Sequence, residues 1–176
     1  MKWLRRAGLA VLLAILLAIA ALAVRGRRAD AGRTTASIDI DRPLAEVFPW
    51  LVDTSKRKQW LPDVADATDL TEGGPRLGAR SRLLIVQGSQ RTHVDVELTA
   101  FEPPRRVAGR ITSEAFEQEV VYELETVGSR TRVHHTGHTT YRAWLARLLE
   151  PLFTKAVQKR SEEGLVRLKA MAEAAP

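Results

Sequence analysis

Along the middle of this chain, hydrophobic and polar residues alternate with a period of two. Thr92, Val94, Val96, Leu98 and Ala100 share one parity, while Arg91, His93, Asp95, Glu97 and Thr99 share the other. That is the pattern of a strand with one dry and one wet face. Phe116, Gln118, Val120, Tyr122 and Leu124 alternate in the same way against Glu117, Glu119, Val121, Glu123 and Glu125. Turn signals recur between Val64 and Thr140 at Gly73-Gly74-Pro75, Gly88-Ser89-Gln90, Pro103-Pro104 and Gly128-Ser129. The stretch is therefore predicted to hold about six strands of an antiparallel sheet that buries one face.

Helical spacing flanks this region on both sides. Ser37-Ile38-Asp39-Ile40-Asp41 reads as a half-buried strand that ends at Arg42-Pro43. Leu44, Val47, Phe48, Leu51 and Val52 then recur as the apolar stripe of an amphipathic helix, with Pro43 suited to its first position and Pro49 keeping it short or kinked. A second helical turn over Lys56 to Trp60 is stopped by Pro62. Near the carboxyl end, Leu145, Leu148, Leu149, Leu152, Phe153, Val157, Leu165, Leu168 and Met171 follow helical spacing. Pro151 is expected to bend this helix or mark its true start. A sheet with one greasy face needs a cover, and this long helix is the candidate. The expected order is βααββββββα, an α+β class.

Residues 7–24 are different: all are apolar or Gly8. As a helix this run nearly crosses a ~30 Å hydrocarbon core. Lys2, Arg5 and Arg6 precede it and Arg25, Arg27 and Arg28 follow, placed to snorkel to headgroups. Residues 1–28 are thus expected to form a transmembrane anchor, with a cleaved signal peptide ending near Ala21-Leu22-Ala23 as the rival. The two flanks carry similar charge, so the orientation stays open. Residues 29–36 read as a linker, and the folded domain is expected over 37–174.

Charge alters the picture once it is located. The formal net charge is +6 and the pI is near 10.2, values that in a folded domain would point to nucleic acid. Seven basic residues in 1–33, namely Lys2, Arg5, Arg6, Arg25, Arg27, Arg28 and Arg33, stand against Asp30 alone, and the remainder holds 20 basic and 20 acidic residues. A balanced domain lacks the general attraction to phosphate, so no nucleic-acid partner is expected. With no cysteine, disulfides, thiolate zinc sites and cysteine nucleophiles are excluded.

His134-His135-Thr136-Gly137-His138 is the densest group of possible ligands or bases. On a strand, His134 and His138 share a face but lie about 13 Å apart at ~3.3 Å per residue, too far for one ion, and His135 faces the other way. No metal is expected. Parity turns His135 inward with Val133, and Gln118 and Tyr122 point inward with Phe116 and Val120. Gly-x-Ser-x-Gly, phosphate-loop, dinucleotide and His-Glu-x-x-His motifs are absent, and no cofactor is expected.

Four local stretches, in this order, resemble the START-like (SRPBCC) superfamily and within it the bacterial polyketide cyclase/dehydrase-type family. They are Ile40 to Phe48 with Asp53 and Trp60-Leu61-Pro62; Thr99 to Val107; Tyr122 to Gly128 with Thr131-Arg132-Val133; and Gly164-Leu165 to Leu168-Lys169. The resemblance implies a helix-grip fold, in which a curved sheet of about six to seven strands wraps the carboxy-terminal helix around an apolar cavity. It also implies a hydrophobic small molecule or lipid as partner. The candidate ligand-binding residues are Val96, Leu98, Phe116, Gln118, Tyr122 and His135, by their inward parity, and Trp60, Trp144 and Phe153, expected at the cavity mouth. The leading expectation is binding or transfer of such a ligand near a membrane, engaged through residues 7–24, in a protein crossing the bacterial inner membrane once. Export after signal cleavage is the alternative location. A cyclase or dehydratase using His135 and Tyr122 as acid/base groups is the second functional reading, and an envelope interaction protein without ligand is the third.

Overall fold

In the computed structural model of the chain, the residues described are 32–175 together with 13, 17 and 21. Apart from 13, 17 and 21, the anchor or signal expected over residues 1–28 lies outside them. Among the described residues no helix is long and apolar enough to cross a membrane.

Seven antiparallel strands form one sheet: β1 (Arg33–Ile40), β2 (Val64–Asp69), β3 (Arg80–Gln87), β4 (Gln90–Glu102), β5 (Arg106–Thr112), β6 (Phe116–Val127) and β7 (Arg130–Tyr141), in the spatial order β1-β7-β6-β5-β4-β3-β2. From β2 to β7 each strand pairs with the next, and β1 closes the row against β7. Two of the links are two-residue hairpins, Gly88-Ser89 and Gly128-Ser129. Their first residues have φ of 59° and 63°, values that a glycine adopts without steric cost.

The first strand begins earlier than the alternation indicated. Arg33, Thr34, Thr35 and Ala36, expected in the linker, pair with His138, Gly137, Thr136 and His135. Threonines and alanine carry no apolar signal of their own, and it is the pairing with β7 that makes them a strand. A second departure is in β4, where the register shifts between Leu98 and Ala100. A bulge of this kind reverses the parity beyond it. Phe101 therefore packs on the core where Ala100 was expected, its ring 5.9 Å from that of Phe48.

Helices α1 (Leu44–Val52), α2 (Thr54–Trp60), α3 (Trp144–Leu148) and α4 (Glu150–Ala174) complete the chain. Pro49 lies inside α1, which spans nine residues. Asp53 ends α1 and caps α2, its carboxylate accepting from the Ser55 and Lys56 backbone N–H groups at 2.8 and 3.3 Å. Pro151 stands in the first turn of α4, where its missing N–H has no helical partner to lose. The core gathers Ile40, Val47, Phe48, Leu51, Trp60, Val133, Leu165 and Leu168.

The cover over the sheet comes mainly from the second half of α4. Leu165, Leu168 and Ala172 are buried, whereas Trp144, Leu145 and Leu152 in α3 and the first turn of α4 are 76%, 51% and 59% exposed. Helix α4 follows the edge strand. The Gln158 side chain accepts from Thr35 N–H and donates to its carbonyl, Lys169 donates to the Asp39 carbonyl, and Glu173 accepts from Asp41 N–H. These contacts satisfy edge groups that would otherwise be open to strand addition.

Candidate functional site

Between the inner faces of β3 to β7, the Trp60–Val64 turn and the middle of α4 lies a cavity of about 330 Å³. Its walls include Val64, Leu83, Ile85, Val94, Ile111, Phe116 and Val120, and α4 contributes Val157, Arg160, Ser161 and Gly164. Gly164 sits where a Cβ would come within 3.2 Å of Pro62 and 3.5 Å of Trp60. A larger residue would push the helix off the turn that closes the cavity's end.

Of the residues expected to meet a ligand, Trp60, Phe116, Gln118, Tyr122 and His135 line this space. Val96 and Leu98 do not. They line a smaller hollow of about 60 Å³, shared with Arg57, Trp60 and Tyr122, because the curvature of β4 carries the same dry face from one hollow to the next. Trp144 and Phe153, expected at the mouth, are 76% and 39% exposed and line neither. Helix α3 packs against β7 and α4, and it and the first turn of α4 lie outside both hollows. Phe153 contacts the lining indirectly, its ring 5.3 Å from that of Tyr141.

Polar groups are concentrated at one side of the cavity. The Tyr122 ring stacks on His135 at 4.8 Å and stands edge-on to Trp60 at 6.1 Å. His135 is 4% exposed, and neither ring nitrogen has a hydrogen-bond partner. Burial pushes its pKa down to about 4, so the imidazole is neutral near pH 7. Burial likewise pushes the Tyr122 phenol up to about 12, against the pull of the Arg57 charge. The hydroxyls of Thr34 and Thr139 are also buried without partners. His134 points the other way, to Glu125 at 3.3 Å, and among the described residues no group of His, Asp and Glu converges as a metal site would require.

Two arginines frame the site. Arg57, buried in α2, donates to Thr54 Oγ1 and Ser81 Oγ at 3.0 and 2.7 Å, and burial lowers its pKa. Arg160 lies 3.5 Å from Asp63 and also donates to the Gln87 side-chain oxygen. This polar group is on the cavity rim.

Sequence reasoning passed over Thr34, Arg57, Thr139, Tyr141 and Arg160. The period-two rule that turned His135 inward, carried on along β7, reaches Gly137, Thr139 and Tyr141. Thr34 was hidden because its segment read as linker, and Arg57 because an arginine on a short helix is usually solvated.

A bent antiparallel sheet, closed by a carboxy-terminal helix over an apolar hollow, defines a START-like, helix-grip protein. Within that class the chain belongs to the family described as polyketide cyclase / dehydrase and lipid transport, whose model matches residues 31–173. Among solved structures, the Zhui aromatase/cyclase from Streptomyces sp. R1128 is similar with a TM-score of 0.69 at 17% identity, over 80% of this chain and 93% of that one. A START superfamily protein from Mycobacterium smegmatis is similar at 0.68 and 14%, covering 80% and 97%. A protein from Thermus thermophilus is similar at 0.67 and 22%, covering 81% and 97%. At these identities the likeness concerns the fold. No curated protein matches the sequence.

Proposed function

We propose that this protein encloses a small hydrophobic molecule in its cavity and holds it close to a membrane, as a binding or transfer protein. The observation that carries the reading is the open space itself, about 330 Å³ walled largely by aliphatic side chains. Protein interiors ordinarily pack so closely that voids barely exceed a water molecule. Unfilled apolar space weakens a fold in proportion to its volume, and an apolar ligand offsets that loss.

The titrating groups favour binding over chemistry. A base with a pKa of about 4 is a weak proton acceptor at neutral pH. Among the described residues the one carboxylate on the lining is Asp63, paired with Arg160. The second reading, a cyclase or dehydratase, draws support from the stacked Tyr122 and His135 and from the similarity to an aromatase/cyclase.

Two features support the membrane part. The apolar run over residues 7–24 has basic clusters at both ends. Gly32, at the start of the folded part, is packed against Thr139 and Glu150, and the segment that holds Glu150 also carries the exposed Trp144, Leu145, Leu152 and Phe153 and the exposed Arg142, Arg147 and Lys155. Aromatic and aliphatic side chains rimmed by cations suit a lipid surface.

Native mass spectrometry of the full chain extracted from cells tests the reading. A co-purifying small molecule, lost in Val120→Phe, is the expected result. Turnover of aromatic polyketide-like substrates that disappears in His135→Ala would replace binding with catalysis. Recovery of the chain in the soluble fraction after gentle lysis would remove the membrane part.

A further inference from the structure

Arg57 carries its charge to a place that supplies no opposite one. The side chain is 9% exposed and helps to line the smaller hollow of about 60 Å³. Nη2 donates to Thr54 Oγ1 and Ser81 Oγ, Nε is sealed without a partner, and Nη1 is the nitrogen left to meet a ligand. Among the described residues no carboxylate pairs with it. Thr54 donates in turn to Asp69, and Asp69 and Asp53 act on the guanidinium from farther off. Buried charges in folded proteins are ordinarily paired, because an unpaired one loses its hydration with no interaction to offset the loss. A helix that needed only to pack here would do better with leucine or methionine.

A glycine helps to keep the hollow beside Arg57 open. Gly109, in β5, also lines it, and its φ is not in the left-handed region. A Cβ there would meet Glu97 O at 3.4 Å, Val96 Cγ1 at 3.6 Å and Val120 Cγ2 at 3.8 Å. These are ordinary contacts, so the strand would accept a side chain, and its absence leaves space. Trp60, Leu61, Leu83, Ile111, Val120 and Tyr122 line this hollow and the main cavity alike. The smaller space is thus a side recess of the larger one, with a cation on its wall.

We propose that this recess takes the carboxylate of a slender monocarboxylic acid, held by Arg57, while the apolar chain of the acid lies in the main cavity. This rests on the cavity-binding reading above and narrows it. The sizes agree. At about 30 Å³ per water-sized group, the recess holds about two such groups and the cavity about eleven, a carboxylate in the first and a medium-length chain in the second. One guanidinium matches one negative charge. The other arginine on the lining, Arg160, is paired with Asp63 on the rim, and His135 is neutral, so among the described residues Arg57 is the lining cation whose charge a ligand would complete.

Decanoate, decanol and decylammonium share one chain and differ in the head group. Each is measured by equilibrium dialysis against the full-length protein at about pH 7.5, where the acid is ionised, with the same steroid-bodied detergent on both sides. The wild type is expected to bind decanoate about tenfold more tightly than decanol, the effect of a charge-assisted hydrogen bond, and decylammonium least. In Arg57→Gln, and in Gly109→Val, which fills the recess, decanol binding should persist while the preference for decanoate falls to unity or below. Arg160→Gln should keep the preference. Decanol binding also reports that each variant is folded, and if Arg57→Gln loses it, Gly109→Val decides. A wild type that binds decanoate no better than decanol overturns the recess and leaves the cavity reading standing. A preference that survives both recess variants, or that disappears in Arg160→Gln, overturns it in favour of recognition at the rim. Failure of all three probes to bind overturns the recess and the cavity reading together.

Discussion

Acid should weaken this fold through His135. The imidazole is buried against Tyr122, with both nitrogens unpartnered, and its pKa is lowered from 6.5 to about 4. The unfolded chain therefore takes up a proton that the folded one refuses. The unfolded state binds more protons between pH 6.5 and 4, so stability rises with pH across that window and is lost as pH falls through it. Applied to pKa values of 6.5 and about 4, linkage gives a loss of about 2 kcal/mol between pH 7 and pH 5. The perturbation that isolates it is His135→Phe, which keeps a ring beside Tyr122 and removes the titrating group. Urea unfolding followed by tryptophan fluorescence should be run on both proteins at pH 7, 6 and 5. The wild type is expected to lose about 2 kcal/mol relative to the variant between pH 7 and pH 5, and the variant should match or exceed the wild type at pH 7, because it buries no unpaired nitrogen. Curves that stay parallel over this range would show that His135 is solvated or finds a partner when it ionises, and the neutral character assigned to the cavity's polar side would fail with it.

Other consequences are simpler to read. Gly164→Leu drives a side chain into Pro62 and Trp60 and should cost about 1–3 kcal/mol, seen as a lower Tm. Asp53→Ala removes the cap that accepts from Ser55 and Lys56 and should cost about 1 kcal/mol in urea unfolding; an unchanged midpoint would mean that water replaces the cap. Trp144→Ser combined with Leu152→Ser alters side chains that are 76% and 59% exposed, so the unfolding free energy should move by less than about 0.5 kcal/mol. Association of the same double variant with vesicles containing anionic lipid should fall severalfold, and unaltered flotation would separate this patch from the membrane reading.

Much of the fold could be read from the order of residues because local rules and the global structure agree. Alternation in β4 and β6, glycines at the hairpins and the stripe of α1 each follow from a period or a conformational preference that neighbouring residues set. The inward direction of Gln118, Tyr122 and His135 follows from the same period of two, and all three side chains line the cavity. Where the reading went astray, a non-local contact decided. Arg33 to Ala36 become strand through β7, and the bulge before Ala100 exchanges one inward residue for another.

What the sequence determined by itself was the order of the main elements and the dry face of β6 and of β4 up to its bulge, since these depend on chemistry a few residues apart. Tertiary structure alone decided how large the hollow is, that Val96 and Leu98 look into a different recess, and that Trp144 and Phe153 lie outside both. It also decided that Thr34, Gln118 and His135 meet around Gly137. Such a meeting depends on register between strands distant in the chain and on the path of α4 along β1, and neither leaves a periodic mark in the sequence.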